Sequence, residues 1–434
     1  MALGGGTFVA QNKVLPGAYI NFVSLAAASA TLSDRGIAAI AIDMDWGESG
    51  KIIEVTSGDF QKNSLKIFGY SYDSEKLRGL RDLFKNIRTL YVYRLNGNGA
   101  KAANAFATAK YAGIRGNDLK IVITKNADNA SAFDVSTVLG STTHDTQTVT
   151  SSKELVDNDW VVFKKDAELT ATAGTPLTGG TNSEVDGSAH QTFLDKLESK
   201  SFNALGYVGT DNGTKALYAA YAKRLRDEQG KKFQVVLYND PADYEGVFNV
   251  KNKVEDGNSE ADLVYWVTGV AAGTAVNASA LNKKYDGEFT VNVDYTQTQL
   301  ERAIKSGEFT LHQVGDDIRV LSDINSLVTT TDTKGDIFKD NQTIRVIDQI
   351  ANDIAVLFNT KYLGVVPNDN AGRISLWSDI VKYHEQLQNI RAIENFVDTD
   401  VVVSQGDTKK AVVVSDAVKI VNTMEKLYMT VTIQ

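Results

Sequence analysis

The eight residues from Leu427 to Gln434 alternate without interruption between two sets of side chains. One set is Leu427, Met429, Val431 and Ile433, and the other is Tyr428, Thr430, Thr432 and Gln434. A period of two, rich in β-branched and aromatic residues, predicts a half-buried β-strand. Terminal residues fray unless something ties them down, and an unpaired strand offers its backbone donors and acceptors to a nearby sheet. We therefore expect this segment either to close a sheet of its own subunit or to be an arm donated to a neighbour.

A second alternating segment lies near the N-terminus. Residues 18–23 (Ala-Tyr-Ile-Asn-Phe-Val) follow Pro16-Gly17, a pair typical of a turn or of the entry to a strand. Both ends of the chain are thus predicted to be isolated strands.

Composition limits the class of protein. A length of 434 residues suggests roughly three domains, and 43% hydrophobic and 23% charged residues are near the globular average. The net charge of −9, with scattered Lys and Arg, argues against a general binder of nucleic acid or of anionic membranes. The absence of cysteine excludes disulfides, thiolate catalysis and cysteine-ligated metal, and is consistent with assembly in a reducing cytoplasm. With no signal-peptide pattern and no apolar run near the roughly 20 residues of a membrane helix, we expect a soluble protein.

The first part of the chain has the pattern of alternating strands and helices. We predict strands at 36–42, 90–95 and 119–124, a helix at 74–86, and an Ala-rich helix from about 100 to 111. This order is typical of βαβ units.

From about 127 to 180, Thr and Ser become frequent and helical periodicity disappears, which predicts an inserted all-β module. The βα pattern then resumes, and the last hundred residues form a separate α/β unit with helices at 344–358 and 376–390 and strands at 400–404 and 411–415. The predicted fold class is multidomain α/β (α+β). The predicted divisions are an N-terminal arm (1–25), an α/β middle region (26–126 and 181–330), an outward-facing β module (127–180), a C-terminal α/β domain (331–415) and a C-terminal arm (416–434).

One motif resembles a dinucleotide-binding fingerprint. Gly97-Asn-Gly99-Ala-Lys-Ala102 follows a predicted strand and opens a predicted helix, where glycines would let a pyrophosphate approach the helix N-terminus. The acidic residue expected at the end of the second strand is missing, because Asp118 precedes that strand and Asp128 lies well past it. A structural turn is therefore favoured, and a dinucleotide-binding α/β enzyme remains an alternative.

No other motif indicates catalysis. Gly206 to Lys215 resembles a phosphate loop, but the order Gly-Thr-Lys misplaces the lysine, which favours a structural turn. The four histidines, at 144, 190, 312 and 384, lack the spacing of metal ligands, and we expect them at the surface. We predict no catalytic residue, no metal site and no cofactor, and hence no enzyme.

Several segments resemble, in the right order, the contractile tail sheath proteins of myophages and of R-type phage-tail-like bacteriocins. The resemblance spans nearly the whole chain and is weakest in the predicted β module. The matching segments are 14–20, 111–117, 262–273, 284–287, 318–327, 341–345, 361–364, 372–373 and 424–431.

The resemblance implies a structural role. Such subunits stack as hexameric rings around an inner tube, and the sheath contracts to drive the tube through a target cell envelope. Implied partners are other copies of the chain, the inner tail tube protein, and baseplate and tail terminator proteins, with no nucleic acid and no membrane bound by the subunit itself. The implied location is the tail sheath of a virion or bacteriocin particle assembled in the bacterial cytoplasm. Another self-assembling tail or shell protein, with ends paired internally, is a second alternative.

The resemblance also assigns roles to residues. Subunits of this family are joined by arms that add strands to a small sheet on a neighbour, with register set by side-chain alternation. The implied inter-subunit residues are Tyr19, Ile20, Phe22 and Val23 in the N-terminal arm and Leu427, Tyr428, Met429, Val431 and Ile433 in the C-terminal arm. The family places the C-terminal domain against the tube, so the residues expected to face it are Arg373, Lys382, His384 and Arg391.

Overall fold

A computed structural model describes residues 32–433 of the chain. The predicted N-terminal arm, with Tyr19, Ile20, Phe22 and Val23, lies outside the described residues. The chain divides into two compact units. The larger contains Ser33–Asn352, Leu387–Phe396 and Val418–Gln434, and the smaller contains Asp353–Gln386 and Val397–Ala417.

The elements are numbered along the chain. The strands are β1 (Ile37–Ile42), β2 (Ile53–Thr56), β3 (Thr89–Arg94), β4 (Ala107–Ala109), β5 (Leu119–Lys125), β6 (Phe133–Leu139), β7 (Thr142–Val149), β8 (Val161–Phe163), β9 (Thr172–Pro176), β10 (Ala204–Gly206), β11 (Gln234–Tyr238), β12 (Val247–Val250), β13 (Glu308–Phe309), β14 (Leu311–Val314), β15 (Asp317–Val320), β16 (Ile393–Glu394), β17 (Val401–Gln405), β18 (Val412–Asp416) and β19 (Lys419–Ile420). The helices are α1 (Ser57–Phe68), α2 (Arg78–Phe84), α3 (Gly187–Leu197), α4 (Asn212–Lys223), α5 (Leu263–Gly273), α6 (Gln297–Lys305), α7 (Asn341–Leu357) and α8 (Asn370–Asn389).

A seven-stranded sheet forms the centre of the larger unit. Its strand order is β13-β12-β11-β10-β1-β3-β2, in which only β2 runs antiparallel to its neighbour. Successive residues of β1 enter two different cores, since Ala38 and Ile40 pack with α1, α2 and α5 while Ala39 and Ala41 pack with α3 and α4. Burial on both faces explains why β1 is apolar throughout. The predicted multidomain α/β class is confirmed.

The β-rich region contains a four-stranded antiparallel sheet, in the order β7-β6-β5-β9, and the pair β4–β8. The prediction of a helix from about 100 to 111 is wrong, because residues 107–109 form β4, with Ala107 and Ala109 fully buried in the core of this region. Helix propensity is a weak preference that tertiary packing overrides. The βαβ unit predicted over 90–124 is wrong as well, since β5 pairs with β6 and β9 rather than with β3. The βα pattern predicted before it is confirmed, because β1 and β3 pair in parallel with α2 between them in the chain.

The C-terminal elements agree more closely with the sequence. Helix α7 is capped by Asp340, whose carboxylate accepts the backbone N–H of Thr343 at 2.8 Å. Helix α8 begins at Asn370, six residues before the predicted start, and β17 and β18 lie where strands were predicted. No helix among the described residues is long and apolar enough to cross a membrane. The predicted domain boundaries stay predictions.

Candidate inter-subunit surfaces

The C-terminal segment is attached to the larger unit at residues 421–423, which we call the root. Buried Gln342 bonds the root twice: its Nε2 donates to the carbonyl of Val421 at 3.1 Å, and its Oε1 accepts the N–H of Thr423 at 3.0 Å. The Asn422 side chain donates to Asp340 at 2.9 Å and to the Thr343 hydroxyl at 3.0 Å. These bonds fix the point from which the chain continues.

Beyond the root, residues 426–433 have no regular secondary structure and no hydrogen bond to the described part of the chain. The strand predicted here is not formed in the single subunit, because none of its backbone groups has a ladder partner among residues 32–433. Its apolar side chains are exposed, from 71% for Val431 to 92% for Ile433. Contiguous exposed apolar side chains mark interaction sites on soluble proteins.

The smaller unit contains a two-stranded antiparallel hairpin, β17–β18, whose register runs from Val401 opposite Asp416 to Gln405 opposite Val412. A side chain of α8 holds this hairpin, since Trp377 Nε1 donates to the Val401 carbonyl at 3.0 Å. Within the described range, neither strand pairs with a third. Apart from the Val401 carbonyl, which accepts from Trp377, the outer edges therefore lack ladder partners, the arrangement that accepts an added strand.

The four residues expected to face a tube differ in their surroundings. Lys382 is exposed, and Arg373 is half-buried with its guanidinium donating to the Asn368 side chain at 3.0 Å. His384 is fully buried, with Nε2 2.6 Å from an Asp416 carboxylate oxygen, so its expected position at the surface is wrong. Arg391 is exposed and belongs to the larger unit, whereas the other three belong to the smaller.

A signal for the burial of His384 was present in the sequence. It lies four residues after Ile380 and three before Leu387, both buried, and so continues the apolar stripe of α8. The surface expectation is also wrong for His190, which is buried on α3 with Nδ1 3.0 Å from the Tyr218 hydroxyl.

The dinucleotide motif does not have the required geometry. Residues 95–99 form a turn after β3 that leads into irregular chain rather than into a helix, so no helix N-terminus is available for a pyrophosphate. Glycine is needed at Gly99 for a different reason, because a Cβ there would lie 1.8 Å from the carbonyl oxygen of Thr181. The prediction of a helix opened by this motif is wrong.

The second glycine-rich segment is structural, as predicted. Helix α4 begins at Asn212, and the carboxylate of Asp211 accepts the N–H of Thr214 at 2.7 Å, which fills the position an anion would take. Lys215 is buried and donates to the carbonyls of Tyr238 and Asn239 at 3.3 and 3.2 Å. No group of three or more His, Asp or Glu side chains within residues 32–433 is placed to hold a metal ion.

Four family models match the chain in succession. They are the Tail sheath protein Gp18 domain III N-terminal region (residues 35–95), the Phage tail sheath protein beta-sandwich domain (96–182), the Phage tail sheath protein central domain (183–326) and the Phage tail sheath C-terminal domain (333–434). The chain is 32% identical over 467 residues to the phage-like element PBSX protein XkdK of Bacillus subtilis, with 99% of both chains covered. The chain belongs to the phage tail sheath family.

Solved structures agree with this assignment. The sheath tail protein from Desulfitobacterium hafniense is 39% identical, with a TM-score of 0.84, 95% of this chain covered and 99% of that one. The helical sheath of the anti-feeding prophage in its contracted state has a TM-score of 0.59 at 14% identity, covering 97% of this chain and 99% of that one, which shows that the fold is shared. This sheath protein therefore has the role of a structural subunit.

Two features of the inter-subunit surfaces were not found from the sequence. The two strands β17 and β18 were predicted, but the sequence could not show that no third strand of the described chain pairs with them. Gln342 was missed because a glutamine in the first turn of a helix is ordinarily a solvated residue. The Val-rich runs at 401–403 and 412–414, separated by a polar loop, were the one available signal for a hairpin.

Proposed function

We propose that this sheath protein polymerises by strand exchange, with the C-terminal segment of one subunit added to a free edge of the β17–β18 hairpin of a neighbour. The observation that carries the proposal is the segment 426–433, which alternates regularly and lies exposed and unpaired. An added strand would give its backbone groups ladder partners and cover the apolar side chains that the single subunit leaves in water.

The energetics favour such an exchange. Leu427, Met429, Val431 and Ile433 form one face of the segment, and burying a side chain of this kind stabilises by about 1.5–3 kcal/mol. The alternation also fixes the register, because a slip by one residue would turn these four side chains away from the interface. The arm thus supplies both the connection and its alignment.

The assembled form would be a helical sheath of stacked hexameric rings around an inner tube, joined to baseplate and tail terminator proteins in a phage or bacteriocin particle. Contraction would drive the tube through a target cell envelope, after assembly in the bacterial cytoplasm. Family membership and the fold shared with a contracted helical sheath support this role. The energy would come from metastable packing set during assembly, so no nucleotide or catalytic group enters the mechanism.

The larger unit is held together by buried ion pairs, which is consistent with a subunit that moves as a rigid body during contraction. Two buried ion pairs link α7 to other parts of that unit: Arg226 with Asp348 at 2.5 Å and Arg345 with Asp323 at 2.6 Å. Breaking either leaves an uncompensated buried charge, which costs several kcal/mol. Rearrangement during contraction would therefore fall between subunits rather than within this unit.

The N-terminal arm and the tube contact complete the proposal. Tyr19, Ile20, Phe22 and Val23 would pack the shared sheet from a second neighbour. Of the residues expected to face the tube, Arg373, Lys382 and Arg391 are retained as candidates for an acidic tube surface, and His384 is not.

Negative-stain electron microscopy of the purified protein tests the proposal. We expect striated hollow cylinders from the wild type and only short or monomeric particles after deletion of residues 426–434. The melting temperature should hardly change, because residues 426–433 make no hydrogen bond to the described chain. A variant with this segment replaced by Gly and Ser at equal length controls for chain length. Normal cylinders from the deletion variant would refute the arm.

A further inference from the structure

The larger unit contains a cavity of about 550 Å³ at the carboxyl ends of β1 and β10. The strand order reverses here, since the chain proceeds from β1 towards β3 on one side and from β10 towards β11 on the other. In open α/β sheets this reversal is where ligands bind. The volume is also in the range of small-molecule sites.

The wall of the cavity is acidic. Its ionisable side chains include five carboxylates against one lysine and one arginine. Two carboxylates are paired, Asp256 with Arg78 at 2.7 Å and Asp45 with Lys76 at 3.6 Å. Asp43 follows β1 directly, is exposed at the cavity wall, and makes no hydrogen bond or ion pair within the described chain. The cavity therefore has an excess of negative charge and a carboxylate available to a ligand.

A second, independent feature is the imidazole of His190, which lines the cavity and is only 7% exposed. Its Nδ1 is held by the Tyr218 hydroxyl at 3.0 Å, while Nε2 has no hydrogen-bond partner among residues 32–433. Burial lowers the pKa of His190, which favours the neutral ring. A ring nitrogen left unpaired in a residue that lines a cavity is available to a ligand's polar group.

The remaining wall is largely apolar and aromatic. Tyr207 and Tyr265 line the cavity, and aromatic side chains attract organic cations. Phe289 shows the same contact within the protein, because the Arg78 guanidinium lies 4.4 Å from its ring centroid. An anion is disfavoured, since the nearby N-terminus of α4 is already capped by the Asp211 carboxylate.

We propose that this cavity binds a small organic cation, an ammonium or guanidinium compound, with Asp43 as its charge partner and His190 Nε2 bonded to a polar group of the same ligand. No residue of the arm or the hairpin lines the cavity, and its occupation does not depend on the polymerisation proposed above.

Isothermal titration calorimetry of the full-length protein with agmatine and with choline tests the inference. We expect saturable binding of at least one of them, weakened by about tenfold or more in Asp43→Asn. The exposed, unpartnered side chain of Asp43 makes loss of folding in this variant unexpected, and a thermal melt verifies it. Asp128→Asn, an exposed carboxylate after β5, is the matched control and should bind as the wild type does.

Three results would overturn the proposal. They are no binding of either compound, equal affinity in Asp43→Asn and the wild type, or an equal loss of affinity in Asp43→Asn and Asp128→Asn. Binding of NAD in place of the cations would assign the cavity to a dinucleotide instead. Asp43→Asn could also impair polymerisation while neither compound binds. That result would indicate that the cavity receives a basic side chain of a neighbouring subunit, and it would contradict a small-molecule site.

Discussion

The side chain of Gln342 accepts the backbone N–H of Thr423 at 3.0 Å, so a buried amide in the first turn of α7 contributes to fixing where the C-terminal segment leaves the protein. The same amide donates to the carbonyl of Val421 at 3.1 Å. An arm that connects subunits has to transmit force to the body of the protein. These paired bonds are the structural basis for that attachment.

Replacing Gln342 with Ala should loosen the root at Thr423 while leaving the sheet intact. Without the acceptor, the Thr423 amide is expected to exchange its hydrogen at least about tenfold faster, because local opening no longer has to break this bond. Hydrogen–deuterium exchange followed by mass spectrometry measures the change. Gln191→Ala on α3, where the glutamine bonds only the exposed Asp195 at 2.7 Å, is the control and should leave Thr423 unchanged. Unchanged exchange in Gln342→Ala would refute the anchoring role.

Trypsin should distinguish the free arm from the engaged arm. Lys426 lies at the start of the exposed, unbonded segment, and cleavage tracks local exposure and opening. We expect rapid removal of the C-terminal residues from the isolated subunit and strong protection in assembled sheaths, read by mass spectrometry of the intact chain. Equal cleavage in both forms would contradict strand exchange.

Removing one partner of the buried ion pair between Arg226 and Asp348 should lower the free energy of unfolding much more than replacing both partners with apolar residues. Asp348→Ala leaves the guanidinium of Arg226 buried without its partner, and we expect a loss of about 3–5 kcal/mol in the free energy of unfolding. The double variant Arg226→Met with Asp348→Leu should recover most of it. Urea denaturation gives the values. Glu48→Ala, which breaks the exposed pair with Lys51, should leave the free energy of unfolding almost unchanged.

Stability should depend on pH through Asp82. This carboxyl is fully buried on α2, and burial raises its pKa to about 6 despite hydrogen bonds from the Glu288 N–H and the Tyr285 hydroxyl. Because the folded-state pKa exceeds the unfolded one, the native state binds more protons between about pH 4 and 6. The stabilising contribution of protonated Asp82 to the free energy of unfolding is therefore fully present below this window and is lost as pH rises through about 6.

The measurement is the free energy of unfolding at several pH values for the wild type and Asp82→Asn. The wild type should lose up to about 3 kcal/mol relative to the variant between pH 4 and 6. Asp128→Asn, at an exposed site, should follow the wild type at every pH. A constant difference between wild type and Asp82→Asn would show that the pKa of Asp82 is not raised.

Local periodicity was sufficient to predict the strands and helices whose side chains pack against their own neighbours. Strand β1 is apolar on both faces because both are buried, and the buried side chains of α7 recur at helical spacing in the sequence. The segment at 100–111 was predicted wrongly because its alanines are buried by distant strands, which composition does not reveal.

The candidate inter-subunit surfaces were predictable to different degrees. The alternation of residues 427–433 predicts the proposed arm, because a strand keeps its period whether its partner lies in the same subunit or in another. The free edges of β17–β18, the root at Gln342 and the burial of His384 depend on contacts between segments far apart in the chain. No local pattern encodes such contacts, so they required the structure.

The alternation of the arm gives a prediction that separates its two faces. If the segment is added to a neighbour's sheet, Met429 lies on the face with Leu427 and Val431, whereas Thr430 lies on the opposite face. Met429→Asp would bury a carboxylate without a partner, which costs several kcal/mol even when the residue adjusts by taking up a proton. We therefore expect Met429→Asp to abolish long sheaths and Thr430→Asp to permit them.

The two variants add the same charge at adjacent positions of a segment that makes no hydrogen bond in the single subunit, so neither should change the melting temperature of the monomer. Sheath length in negative-stain micrographs, at matched protein concentration and ionic strength, is the measurement. A loss of assembly in both variants would mean that added charge alone prevents contact between subunits. Normal assembly in both would mean that the segment is not buried by a neighbour. Only a difference between the two faces supports an added strand, because alternation between buried and exposed side chains is the property that distinguishes a strand from an unstructured tail.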